Sequence, residues 1–145
     1  MQRSPRTGLP LIKKTPPRRS TRCEGDPPEA LLSGIAQFNA GDFWHCHETL
    51  EQVWRGETDP IRSLYQGILL VGVGYYHLQR GNARGAVAKL AQGLQCLEPF
   101  RPACMDVDVA ALVAAAAATL RQLRVGTALA EMQQQASPRI TLLRL

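Results

Sequence analysis

The chain is predicted to fold as an all-α, compact helical bundle of five or six helices, and three observations carry that expectation. Its 145 residues suit one domain with a single core. Aliphatic side chains and alanine dominate, aromatic residues make up only 6%, and no β-branched alternation is sustained. Stop–start signals at Gly41-Asp42, Gly56 to Pro60, Gly81-Asn82 and Pro99 to Pro102 separate apolar runs of helical period.

Each element follows from these signals in turn. Pro27-Pro28 suits a helix start, and Leu31, Leu32, Ile35 and Phe38 recur at helical spacing up to Asn39. Asp42 is a natural cap for a second helix from Phe43 to about Arg55. Asp59-Pro60 restarts the chain into a third helix, 61–80. Apolar residues cover nearly its whole wheel, and Gly67, Gly72 and Gly74 admit close neighbours. A fourth helix is expected from Ala83 to Leu97, and a fifth capped by Asp106 or Asp108 and extended by the alanines at 114–118. A weak helix follows. The domain is therefore placed at 27–136, after a disordered, basic, proline-rich tail (1–26) and before a fraying end (137–145) interrupted by Pro138.

Dividing the formal charge of +5 changes its meaning. Residues 1–22 hold Arg3, Arg6, Lys13, Lys14, Arg18, Arg19 and Arg22 and no acid. The remainder holds ten basic residues against twelve acids, so the body carries no strong nucleic-acid signal. The apolar stretch from Ile61 to Leu78 is interrupted by Arg62, Gln66 and His77 and is too short for a membrane span. Cys23, Cys46, Cys96 and Cys104 show neither CxxC spacing nor a framework pattern. Free thiols in a cytoplasmic protein are the expectation, with Cys46 and Cys96 as small core residues.

An internal similarity organises the body. Residues 35–54 align with 75–94 at an offset of 40, pairing Ile35 with Tyr75, Phe38 with Leu78, Asp42 with Asn82, Leu50 with Leu90 and Trp54 with Leu94. Each copy is a helical-hairpin, tetratricopeptide-like corner. Two copies are too few for a solenoid, so a bundle is expected.

The polar residues concentrate on the second and third helices. His47 and Glu51, four apart, lie about 40° from each other on a wheel at ~100° per residue, at the edge of an apolar arc of Phe43, Cys46, Leu50, Val53 and Trp54. Arg62, Gln66 and His77 share a stripe with Leu70 and Val73 on the third helix, and an antiparallel hairpin sets 47–51 opposite roughly 64–70. Gln66 is then expected to bond to His47 or Glu51. At the corresponding positions of the second copy stand Val87 and Ala91, so the corner folds without the polar pair. Three readings follow: a structural network, a small-ligand groove, or a divalent-metal site of His47, Glu51 and His77 with Glu48 as a catalytic base. The run from His47 to Glu51 is similar to the zincin HExxH signature with its second histidine replaced by glutamate, which removes most of the signature's specificity. Trp44 falls beside this arc, compatible with a surface position or partial burial.

The series Phe38-Asn39, Gly41, Phe43, His47-Glu48, Glu51 and Trp54, followed by Arg62, Tyr65-Gln66-Gly67, His77, Arg80-Gly81-Asn82 and Gly85-Ala86, resembles the bacterial and archaeal domain-of-unknown-function family 309. The resemblance extends over about residues 30–110 and implies a compact all-α fold with no established activity. It places His47, Glu48, Glu51, Trp54, Gln66 and His77 on motif positions and leaves His45 out. The leading functional expectation is a non-catalytic binding or interaction module with a His/Glu/Gln cluster between helices. The alternative is a metal-dependent, hydrolase-like enzyme. Self-association is compatible with either.

Overall fold

The computed structural model describes residues 16–144. Its six α-helices are α1 (Glu29–Asn39), α2 (Phe43–Arg55), α3 (Arg62–Gln79), α4 (Ala83–Leu97), α5 (Val109–Arg124) and the short α6 (Leu129–Gln133). Helices α1 and α2 form one antiparallel hairpin and α3 and α4 a second, with α2 against α3 and α4 against α5. The all-α bundle read from the sequence is the observed fold. No described helix is long and apolar enough to cross a membrane.

The two corners are built alike. Gly41 and Gly81 take φ of +78° and +77°, the left-handed conformation that a side chain resists. That turn lets the amide of Asp42 reach the carbonyl of Gln37 at 2.9 Å, and that of Asn82 the carbonyl of His77 at 2.8 Å. The Asp42 side chain then caps α2 by accepting from the His45 amide, and Asn82 caps α4 by accepting from the Gly85 amide. Asp108 rather than Asp106 caps α5.

Helix α3 is the central element. Leu64, Tyr65, Ile68, Val71 and Tyr75 are all buried, and each such side chain removed from water contributes on the order of 1.5–3 kcal/mol. Its glycines seat neighbouring side chains: a Cβ at Gly67 would lie 2.6 Å from Leu97, and one at Gly74 2.7 Å from Leu90. In the first hairpin, a Cβ at Gly34 would lie 2.6 Å from Leu50. Gly34 and Gly74, like Leu50 and Leu90, stand 40 positions apart, so the repeat extends to the glycine under each leucine.

Both domain boundaries need correction. Segment 16–26, assigned to the tail, packs on the bundle. Ser20 is buried and donates to Asp59 at 2.6 Å, Arg22 pairs with Glu57 at 2.8 Å, and Arg19 donates to the carbonyls of Arg101 and Ala103. Cys23 is joined to Cys104 in a disulfide. This corrects the free-thiol expectation for those two residues, while Cys46 and Cys96 stand outside the disulfide. The expectation for residues 1–15 lies outside the described residues. At the other end, the Asn39 side chain grips both backbone groups of buried Ile140, at 3.0 and 2.7 Å, and Leu142 bridges to Val107. The end treated as fraying is thus held. Both corrections have one cause. Short segments without helical period carry no local signal, and their order comes from partners 35 to 101 positions away.

A two-stranded hairpin, β1 (Ala103–Cys104) and β2 (Val107–Asp108), was also not expected. Its turn residues Met105 and Asp106 have φ of 48° and 65° without the usual glycine. Tertiary contacts hold it: buried Met105 donates its amide to the Cys23 carbonyl at 2.8 Å, and the Asp106 carbonyl accepts from Leu143 at 2.7 Å.

Candidate functional site

A polar and aromatic seam runs along the α2–α3 contact. On α2 the positions 44, 47, 51 and 54 follow helical spacing and form one stripe. Trp44 is 50% exposed and stacks on the His47 ring, with centroids 5.4 Å apart and planes at 28°. It also meets Tyr76 of α3 at 5.6 Å, and Arg80 lies over the Tyr76 ring at 5.6 Å. At the opposite end, Arg62 lies over the Trp54 ring at 5.1 Å while its Nε donates to the Glu57 carbonyl at 3.0 Å. The antiparallel hairpin fixes this order, pairing the start of α2 with the end of α3.

Between the two aromatic ends sit His47 and Glu51. Their side chains share a face, with His47 Nε2 3.9 Å from a Glu51 oxygen, and Arg55 binds the other oxygen at 3.0 Å. The i, i+4 pair expected from the sequence is therefore formed, with Arg55 as a third member that i, i+4 spacing from Glu51 would have revealed. Gln66 does not bond to either. Its side-chain oxygen faces the Cys96 thiol on α4, at 3.9 Å, because α3 packs on two helices and Gln66 lies towards the second.

His77 is also placed elsewhere than expected. It is the second-copy counterpart of Gln37, at the corner where α3 turns into α4, and its Nδ1 lies 3.4 Å from the Asn82 amide nitrogen. Glu48 is exposed. Among the described residues no group of three or more His, Cys, Asp and Glu side chains comes together to hold a metal ion. The proposed ligand set of His47, Glu51 and His77 is thus not assembled, and Glu48 has no such centre to serve.

Two buried polar atoms of the seam, His47 Nδ1 and Trp54 Nε1, have no hydrogen-bond partner among the described residues. Leaving a buried donor or acceptor unmatched costs about 1–3 kcal/mol, so a seam with two such atoms is not optimised for stability alone. Beneath it the Cys46 thiol is buried against the core, and desolvation, with the Asp42 charge adding to it, pushes its pKa up to about 12. That thiol is a packing group and not a nucleophile.

Beyond Trp54 the chain turns into the loop that starts α3. There Glu57 accepts the Asp59 amide at 3.0 Å and pairs with Arg22, which hold its carboxyl below the usual range. Asp59 is lowered by accepting from the Ser20 hydroxyl and the Ile61 amide. A cavity of about 470 Å³ opens beside this loop, lined by Arg18, Arg55, Glu57, Thr58, Arg62 and Ser63 with Pro16 and Pro60. Sequence reasoning missed it because Arg18 lies in the segment read as tail.

Comparison with known proteins agrees with the resemblance. A Bacillus subtilis (strain 168) protein described as uncharacterized, YpuF, is 30% identical over 84 residues, covering 57% of this chain and 48% of that protein. An uncharacterized protein of Aquifex aeolicus (strain VF5) is 31% identical over 80 residues, covering 50% of this chain and 24% of that protein. The chain thus spans about half and about a quarter of these two relatives. No solved structure matches. Residues 31–88, which contain most of α1, all of α2 and α3, the first turns of α4 and the whole seam, match the family described as "Domain of unknown function (DUF309)".

Proposed function

We propose that this protein is a non-catalytic binding module, and that the α2–α3 seam takes a short amphipathic, acidic segment of a partner polypeptide. The observation that carries the reading is the aromatic row of Trp44, Tyr76 and Trp54, with Arg80 and Arg62 lying on two of its rings. Trp44 is exposed and the Tyr76 and Trp54 rings are half-buried, and aromatic and guanidinium groups are the residue types that dominate binding energy at protein interfaces. The cations at both ends select for carboxylates. Cytoplasmic placement is part of the proposal, and the Cys23–Cys104 disulfide, a bond uncommon in reducing compartments, is the observation that stands against it.

Selection from a random peptide library on the immobilised chain tests it. Enriched peptides should combine aromatic or branched apolar residues with Asp and Glu, and Trp44→Ala should abolish the enrichment. Peptides without that pattern, or binding indifferent to Trp44→Ala and Tyr76→Ala, would refute the proposal.

A further inference from the structure

We propose that the cavity beside the α2–α3 loop is a binding site for the phosphate group of a small soluble phosphomonoester. Three guanidinium groups, from Arg18, Arg55 and Arg62, line it, and Glu57 is the one acid among its lining residues. The Glu57 carboxylate is already engaged by Arg22 and by the Asp59 amide, so it offsets little of the charge facing the cavity. Arg18 is exposed, and its charge acts on Asp59, whose carboxylate is already held by the Ser20 hydroxyl and the Ile61 amide. The Arg62 Nε is fixed by the Glu57 carbonyl and its face by Trp54, which leaves its terminal nitrogens to donate. Arg55 shares one nitrogen with Glu51. Arginine forks match phosphate oxygens with two parallel bonds, a geometry that chloride or a single carboxylate oxygen does not use.

Size and lining then define the ligand class. About 470 Å³ exceeds what one phosphate fills and falls in the range of small-ligand sites. Thr58, Ser63, Pro16 and Pro60 complete the lining, residue types suited to a hydroxylated organic group on the phosphate. The cavity is drawn from three parts of the chain: segment 16–18, the end of α2, and the loop with the start of α3. A ligand there fastens the N-terminal segment to the bundle. This site adjoins the seam through Arg62 but does not depend on it.

The test uses the whole chain and two probes, inorganic phosphate and ribose 5-phosphate, each titrated against chloride at matched ionic strength. Trp54 is the built-in reporter, because an anion that draws on Arg62 alters the cation resting on its ring. A saturable change in tryptophan emission is expected with both probes, tighter with ribose 5-phosphate. Amide shifts should concentrate at residues 16–18 and 55–63. Arg18→Gln with Arg55→Gln should weaken binding by about tenfold or more, while Arg80→Gln, on the far end of α3, should leave it unchanged. No saturable response, or equal weakening by Arg80→Gln, would overturn the proposal. So would sedimentation with phosphatidylglycerol vesicles in the absence of any response to ribose 5-phosphate, which assigns the charge to a lipid surface. Peptide selection on the Trp44 seam is scored separately, so failure of one site leaves the other standing.

Discussion

The two helical hairpins share a skeleton and differ in what they place on it. In both, a left-handed glycine turns the chain, an Asp or Asn caps the second helix, and a leucine of that helix lies on a glycine of the first. Yet where α4 carries Val87, Ala91 and Leu94, partly buried against the core, α2 carries His47, Glu51 and Trp54. One architecture accepts both sets. The fold therefore does not require the polar set. A second contrast lies at the flanks. Helix α5 covers the second hairpin, while the first relies on terminal segments through Asn39 and Ile140.

The flank contrast should produce the largest effect. A chain starting at Glu24 loses the Cys23–Cys104 link, the Ser20–Asp59 bond and the Arg22–Glu57 pair. Its stability by urea denaturation should fall by roughly 2–5 kcal/mol; an unchanged midpoint would show that segment 16–23 is not part of the folded unit. The glycines under the leucines come next. Gly74→Ala meets the Leu90 side chain and its backbone nitrogen at 3.2 Å, whereas Gly34→Ala meets only the Leu50 side chain. The first should cost about 1–3 kcal/mol and the second less, and the reverse order would break the equivalence of the corners.

Asn39 and its counterpart Gln79 sharpen the same point at smaller scale. Asn39→Ala strands both backbone groups of Ile140 and should cost about 1–3 kcal/mol, while exposed Gln79→Ala should stay within roughly 0.5 kcal/mol. Equal losses would deny the Asn39 clamp. For the seam, giving α2 the residues of α4, His47→Val with Glu51→Ala, should leave thermal stability nearly neutral or raised. Glu51→Ala alone should cost up to about 1 kcal/mol, because Arg55 and His47 lose their partner. A double variant that unfolds would make the polar set a structural requirement. The smallest effect concerns Cys46, whose counterpart Ala86 is equally buried. With its pKa pushed up to about 12 by burial the thiol stays protonated at neutral pH, so it should resist alkylation in the native protein and react once unfolded. Rapid native labelling at Cys46 would contradict its burial.

Much of the fold was legible in the sequence, and so was half of the site. Helix limits followed from glycine, proline and capping residues, which act within one turn, and the His47–Glu51 pair followed from i, i+4 spacing. Gln66 and His77 were misplaced because a stripe on α3 says which residues share a face but not which neighbouring helix that face meets. The Gly34–Gly74 correspondence was readable at the offset of 40, one position before the aligned block began.

The sequence by itself determined what depends on near neighbours along the chain: six helical segments, two equivalent corners, and an α2 face bearing His47 and Glu51. Only the tertiary structure decided what joins distant segments. That includes the Cys23–Cys104 bond across 81 positions, the glycine-free turn at Met105-Asp106, the grip of Asn39 on Ile140, and a cavity built from Arg18, Arg55 and Arg62. The physical reason is the range of the forces that order each part. Caps and helical periodicity act through the backbone over three or four residues, and their pattern is written where they act. Disulfides, buried turns and charged cavities take their energy from partners that only the folded core brings within reach.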